Sequence, residues 1–143
     1  MDEFIGVVKL FSGNYSPAGW HFCDGSLLPI QQYAALFSII GTTYGGDGRT
    51  NFAIPDLRGR VPVGAGGGVG LTPRVQGEIF GTEVNTLQQS NIPYAFFPQN
   101  VSTGVGVVLS ATGQNRLSPV NNVQPSLSLN YIICLEGIYP SKT

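Results

Sequence analysis

The densest chemistry in this sequence is Asp56-Leu57-Arg58-Gly59-Arg60, three charges in five residues of a chain with only seven basic and eight acidic side chains. If that stretch is extended, Asp56, Arg58 and Arg60 share one face, because side chains alternate with period two. Arginine's planar fork suits carboxylates and carbonyls, so one reading is a charge-assisted network that pins a loop. The other is capture of an anionic ligand such as phosphate or sialic acid, and the residue types leave both open. Asp47 lies in Gly46-Asp47-Gly48-Arg49, which lacks the repeated acidic spacing and closing Glu of a calcium loop. It reads as a turn residue.

Nucleophilic catalysis has little to work with. His21 is the single histidine, and no Ser/His/Asp set forms around it. Cys23 lies two residues away, which is no Cys/His signature, and Cys134 is distant. Both thiols sit in apolar surroundings and read as buried structural residues. One histidine and two distant cysteines supply no zinc site within one chain. No carboxylate pair stands out for glycoside cleavage. The run Gly64-Ala65-Gly66-Gly67-Gly68-Val69-Gly70 lacks the Gly-Lys-Ser/Thr ending of a phosphate loop. We therefore expect no enzyme, no cofactor and no metal. Asn14-Tyr15-Ser16 and Asn100-Val101-Ser102 match the glycosylation pattern by chance if there is no secretory signal.

Composition narrows the partners. Charged residues make up 10% of 143, against roughly 25% in ordinary soluble proteins. A folded monomer of this mass exposes roughly 7,000 Å², or one charge per roughly 470 Å². Such a surface is poorly protected against association, which points to cover by copies of itself or a larger assembly. A net charge of −1 argues against nucleic acid. No apolar run reaches the ~18 residues of a membrane span. The acidic start Met1-Asp2-Glu3-Phe4 lacks the basic region of a signal peptide. The expectation is synthesis in a cytoplasm, with free thiols.

The elements that must position these residues are mostly strands. Residues 4–11 are β-branched and aromatic, and Trp20 to Cys23 suits a short buried strand. Asp24-Gly25 is a hairpin-type turn signal. Ile30, Tyr33, Ala34, Phe37 and Ile40 fall on one helical face, predicting a helix over 30–40 capped by Gly41. Phe52 to Leu57 is extended, and 71–93 is loop-like with 78–83 its most ordered part. Val101 to Leu109 reads as a strand. Residues 127–135 turn continuously apolar, which suits a central strand. The fold class is mainly β with one short α-helix and long glycine-rich loops. Residues 61–143 are expected to add a loop-rich insertion and C-terminal strands to the same compact domain as 1–60.

An ordered string carries a family likeness. It runs Phe4-Ile5-Gly6, Phe11-Ser12-Gly13-Asn14, Pro17-Ala18-Gly19-Trp20, Cys23-Asp24-Gly25, Leu27-Leu28-Pro29-Ile30 and Ala35-Leu36-Phe37-Ser38. It continues through Gly41-Thr42-Thr43-Tyr44-Gly45-Gly46-Asp47-Gly48 and Phe52-Ala53-Ile54-Pro55-Asp56-Leu57-Arg58-Gly59-Arg60. Gly81-Thr82-Glu83, Gln124-Pro125, Leu129 to Leu135 and Gly137-Ile138-Tyr139-Pro140 extend it. This resembles the phage tail collar domain, and in particular the small stand-alone microcystin-dependent proteins. The match is most specific over 4–60 and patchy over 61–123.

The resemblance implies a homotrimeric, β-rich knob on a phage tail or tail-like particle, with itself and other tail proteins as partners. Related short tail fibres attach to cell surfaces, often to polysaccharide. Many relatives carry a His-x-His element that in some fibres holds a metal on the threefold axis. Here Asn91-Ile92-Pro93-Tyr94-Ala95-Phe96-Phe97-Pro98 stands in that place without histidine. Tyr94, Phe96 and Phe97 then become candidates for apolar packing on an axis, or for stacking on sugars. The candidate ligand contacts are Asp47, Arg49, Arg58, Arg60, Tyr94 and Phe96, with a cell-surface glycan engaged through loops between 61 and 123. The rival readings are a self-assembling filament or cap subunit without a ligand, and a polysaccharide-cleaving tailspike.

Overall fold

A computed structural model describes residues 2–86 and 119–141 of the chain. The expected strand at 101–109 lies outside them. The described elements, in chain order, are β1 (Val8–Phe11), β2 (Trp20–Phe22), β3 (Leu27–Pro29), α1 (Ala34–Ile40), β4 (Asn51–Ala53), β5 (Val84–Asn85), β6 (Val120–Asn121) and β7 (Asn130–Cys134). Among the described residues the fold is mainly β with one short helix, as the sequence implied. Two units separate: Met1–Ile79 with Ser128–Thr143, and Phe80–Leu127.

In the first unit β7 is the middle of a three-stranded antiparallel sheet, in the order β1-β7-β2. Val8 faces Ile133 and Leu10 faces Tyr131 on one side, while Trp20 faces Cys134 and Phe22 faces Ile132 on the other. Ile132, Ile133 and Cys134 are all buried, so both faces of β7 are covered. That is why its sequence is continuously apolar rather than alternating. Just before β1, Ile5 N–H donates to Ile138 O at 2.9 Å and Gly6 N–H to Cys134 O at 2.9 Å. These bonds fasten the segment beyond β7 to the start of the chain.

Three local expectations are corrected. The strand foreseen over 4–11 is regular only from Val8, because Phe4 sits in an isolated parallel bridge to Ile138. Asp24-Gly25 does not close a hairpin: β2 pairs with β7, and β3 pairs with β4. The helix begins at Ala34 rather than Ile30. Pro29 is the last residue of β3, and Ile30 N–H is taken by Thr50 O at 3.0 Å, so the first turn of the expected helix is tied to the residue just before β4 instead.

Helix α1 has seven residues and no side-chain cap, so packing must hold it. Leu36 and Ile40, one turn apart, are its buried residues. Gly41 ends it with φ +55° and donates to Phe37 O at 2.8 Å. The core joins Leu36 and Ile40 to Ile5, Cys23, Leu28, Phe52, Ile54, Ile133 and Leu135. Phe37 closes over Phe52 with ring centroids 5.4 Å apart. Burying a side chain such as Leu36 contributes about 1.5–3 kcal/mol.

The second unit is described over residues 80–86 and 119–127. There β5 and β6 pair antiparallel, Val84 opposite Asn121 and Asn85 opposite Val120.

Candidate functional site

The charged residues singled out by the sequence lie on two loops of the first unit, one before and one after β4. The loop from Gly41 to Thr50 is folded by Asp47. Its Oδ1 accepts from the backbone N–H of Arg49 at 2.8 Å, Thr50 at 2.8 Å and Asn51 at 3.0 Å. Its Oδ2 accepts from the Thr50 hydroxyl. Asn51 returns the favour, its Oδ1 accepting from Asp47 N–H at 3.1 Å. These bonds, led by that from Asn51 N–H, hold the Asp47 carboxyl well below the usual carboxylate range. The turn reading of Asp47 fits this geometry. Gly46 must be glycine here: its φ is +96°, and a Cβ would fall on the Phe52 backbone.

The second loop runs beside residues 23–26. Leu57 N–H donates to Cys23 O at 2.9 Å, Ile54 N–H to Ser26 O at 3.2 Å, and Asp24 bridges Asp56 antiparallel. Asp56 and Arg58 form a two-pronged pair, Nε to Oδ1 at 2.9 Å and the NH2 group to Oδ2 at 2.8 Å. Arg58 N–H adds a bond to Oδ1 at 3.1 Å. The Arg58 guanidinium, assisted by that backbone bond and by the charge of Arg60, pulls the Asp56 carboxyl down to about 2. Arg60 does not continue an extended face, since its N–H closes a turn on Leu57 O at 3.1 Å. Both Arg58 and Arg60 are exposed.

This pairing also brings in residues the sequence reading did not connect to Asp56. Asp24 Oδ1 accepts from Ser26 N–H at 3.0 Å and Ser26 Oγ at 2.6 Å. His21 Nδ1 lies 3.9 Å from the same oxygen. Burial pushes the Asp24 carboxyl up, but the Ser26 bonds and His21 outweigh it and the net displacement is downward. Asp24 and Asp56 are 32 residues apart, and only the cross-strand bridge reveals that they are neighbours. Arg58 therefore senses two carboxylates, Asp56 first and Asp24 after it.

The loops thus present exposed guanidinium groups on a backbone braced by internal carboxylates. Such a surface can meet hydroxyl and anionic groups of a ligand. Among the described residues no three His, Cys, Asp or Glu side chains gather to hold a metal ion. Cys23 and Cys134 are free and buried. Burial first, and the Asp24 charge second, push the Cys23 thiol up to about 12. Asp47, Arg49, Arg58 and Arg60 all fall on the two loops, whereas Tyr94, Phe96 and Phe97 lie outside the described residues.

Residues 6–62, which span both loops and the strands and helix between them, match the Phage Tail Collar Domain. That match covers less than half of the chain. The matched residues contain β1 to β4 and α1 but not β7, the strand that joins β1 to β2. The chain is also 35% identical over 75 residues to the short tail fiber protein gp12 of Enterobacteria phage T4. That match covers 51% of this chain and 14% of the fiber protein. No described helix is long and apolar enough to cross a membrane.

Proposed function

We propose that this chain is a structural protein of a phage tail or phage-tail-like particle, acting as a fibre tip that attaches to a cell-surface glycan. The observation that carries this reading is the collar domain together with its similarity to a short tail fiber protein. The working form is an assembly of several copies, a homotrimer by family resemblance, joined to other tail proteins. The ligand surface is assigned to Asp47, Arg49, Arg58 and Arg60 with Tyr94 and Phe96, and to loops between 61 and 123. Asp47 and Asp56 shape the loops, while the arginines and aromatics make the contacts. Several weak sites on one assembly multiply through effective concentration. No catalytic role is assigned to any residue. The test is binding of the assembled full chain to an array of bacterial surface polysaccharides. Retention on at least one of them, weakened by Arg49→Ala with Arg60→Ala, is expected. An intact assembly that binds none overturns the attachment role.

A second reading, a filament or cap subunit with no ligand of its own, draws on the apolar side chains exposed at Val61, Val63, Leu71 and Val75. Negative-stain images separate the two: regular fibres favour the filament, discrete particles the tip.

A further inference from the structure

Residues 61–73 contain no charged side chain, and Thr72 is the only one with a polar side-chain group. The stretch is nonetheless an ordered loop. Gly66 and Arg74 exchange N–H···O bonds of 2.8 and 2.9 Å, and Leu71 N–H closes the tip on Gly68 O at 3.1 Å. Arg74 pairs with Glu78 at 2.9 Å, and Glu78 also accepts from Val75 N–H at 3.0 Å. Gly77 seats the far end against Thr43, where a Cβ would meet the Thr43 carbonyl. The backbone is thereby fixed while its apolar side chains stay in water: Val69 is fully exposed, and Leu71 and Val75 are exposed by 72% and 75%.

Gly64 adds an independent sign. Its φ is not positive, and a Cβ there would meet nothing within 4 Å. Nothing among the described residues requires glycine at that position. A bare backbone does, however, let another chain lie close.

We infer that the ordered loop 61–79 seats its apolar side chains on a second copy of this chain. Val61, Val63, Val69, Leu71 and Val75 each expose on the order of 100 Å², more than half of the ~800 Å² one partner brings to a stable pair. A glycan would find almost no hydrogen-bonding side chains over 61–73, whereas a second copy offers exposed Val8, Leu10 and Leu27. The inference rests on the proposal that copies assemble, and it names the segment that joins them. It also withdraws 61–73 from the ligand-binding loops.

The test is the mass of the full chain in solution by light scattering. The wild type is expected to be an oligomer at micromolar concentration. Val69→Asp with Leu71→Asp, and separately Gly64→Arg, are expected to raise the half-assembly concentration by about tenfold or more, the factor that 1.4 kcal/mol confers. Circular dichroism is expected to be unchanged, since the substituted positions are exposed. A monomeric wild type overturns both the assembly proposal and this inference. An oligomer that neither variant weakens overturns only the loop's role. A monomer that binds phosphatidylcholine vesicles through the loop overturns it in favour of a lipid.

Discussion

Arg58 holds both carboxylate oxygens of Asp56, its neighbour two positions back, at 2.9 and 2.8 Å. The pair is accessible to water, so its direct contribution to stability is small. Its stronger effect is on the proton. Asp56 is expected to titrate near pH 2 when its carboxyl carbon is followed by NMR, and Arg58→Ala should return the midpoint towards an ordinary aspartate. A midpoint that ignores the substitution would contradict the pairing.

The same displacement sets a pH window. The folded-state pKa of Asp56 is lowered from 3.8 to about 2, so its contribution is complete above about pH 4 and is lost as the pH falls through 2. Asp47, Asp24 and Glu78 are lowered as well and act in the same sense. Urea midpoints measured from pH 5 down to pH 2 should therefore fall continuously.

Asp47 organises its loop by accepting bonds rather than by burial. Asp47→Ala should speed amide hydrogen exchange at Arg49, Thr50 and Asn51, while the amides of β7 keep their protection. Equal acceleration in both places would mean that the carboxylate supports the whole unit.

Phe52 is fully buried between strand and helix, so Phe52→Ala should cost about 3–5 kcal/mol in urea unfolding. Gly46→Ala should also destabilise, by about 1–3 kcal/mol, because it forces a Cβ at positive φ onto Phe52. A neutral Gly46→Ala would contradict the loop conformation.

Cys23 should resist alkylation at pH 8 in the native state and react once the chain is unfolded. A reactive thiolate needs a lowered pKa, and this one is raised to about 12.

These residues also show what a sequence can and cannot disclose. β7 was legible because burial on both faces leaves a run of apolar side chains, Tyr131 to Leu135. The helix face was legible too, but not its start: Ile30 and Tyr33 do pack on the core, from a turn rather than a helix. Asp24-Gly25 misled because the partner of β2 lies more than a hundred residues downstream, and no local signal encodes such a pairing. Asp47 could be read as a turn residue from its glycine neighbours. That its oxygens bind three successive amides follows only from the loop's path. The nearness of Asp24 to Asp56 was invisible for the same reason as the hairpin error.

The insertion of β7 between β1 and β2 has a consequence for biosynthesis. A ribosome releases the collar residues 6–62 long before it reaches Asn130, so β1 and β2 emerge without the strand that lies between them. Until then each has an open edge that any other extended chain could occupy. Closing the sheet requires contacts between residues more than a hundred positions apart, which slows folding. Nascent chains crowded on one message would meet one another's open edges during that wait, so the moment of greatest risk for misjoined copies comes before the last strand is made.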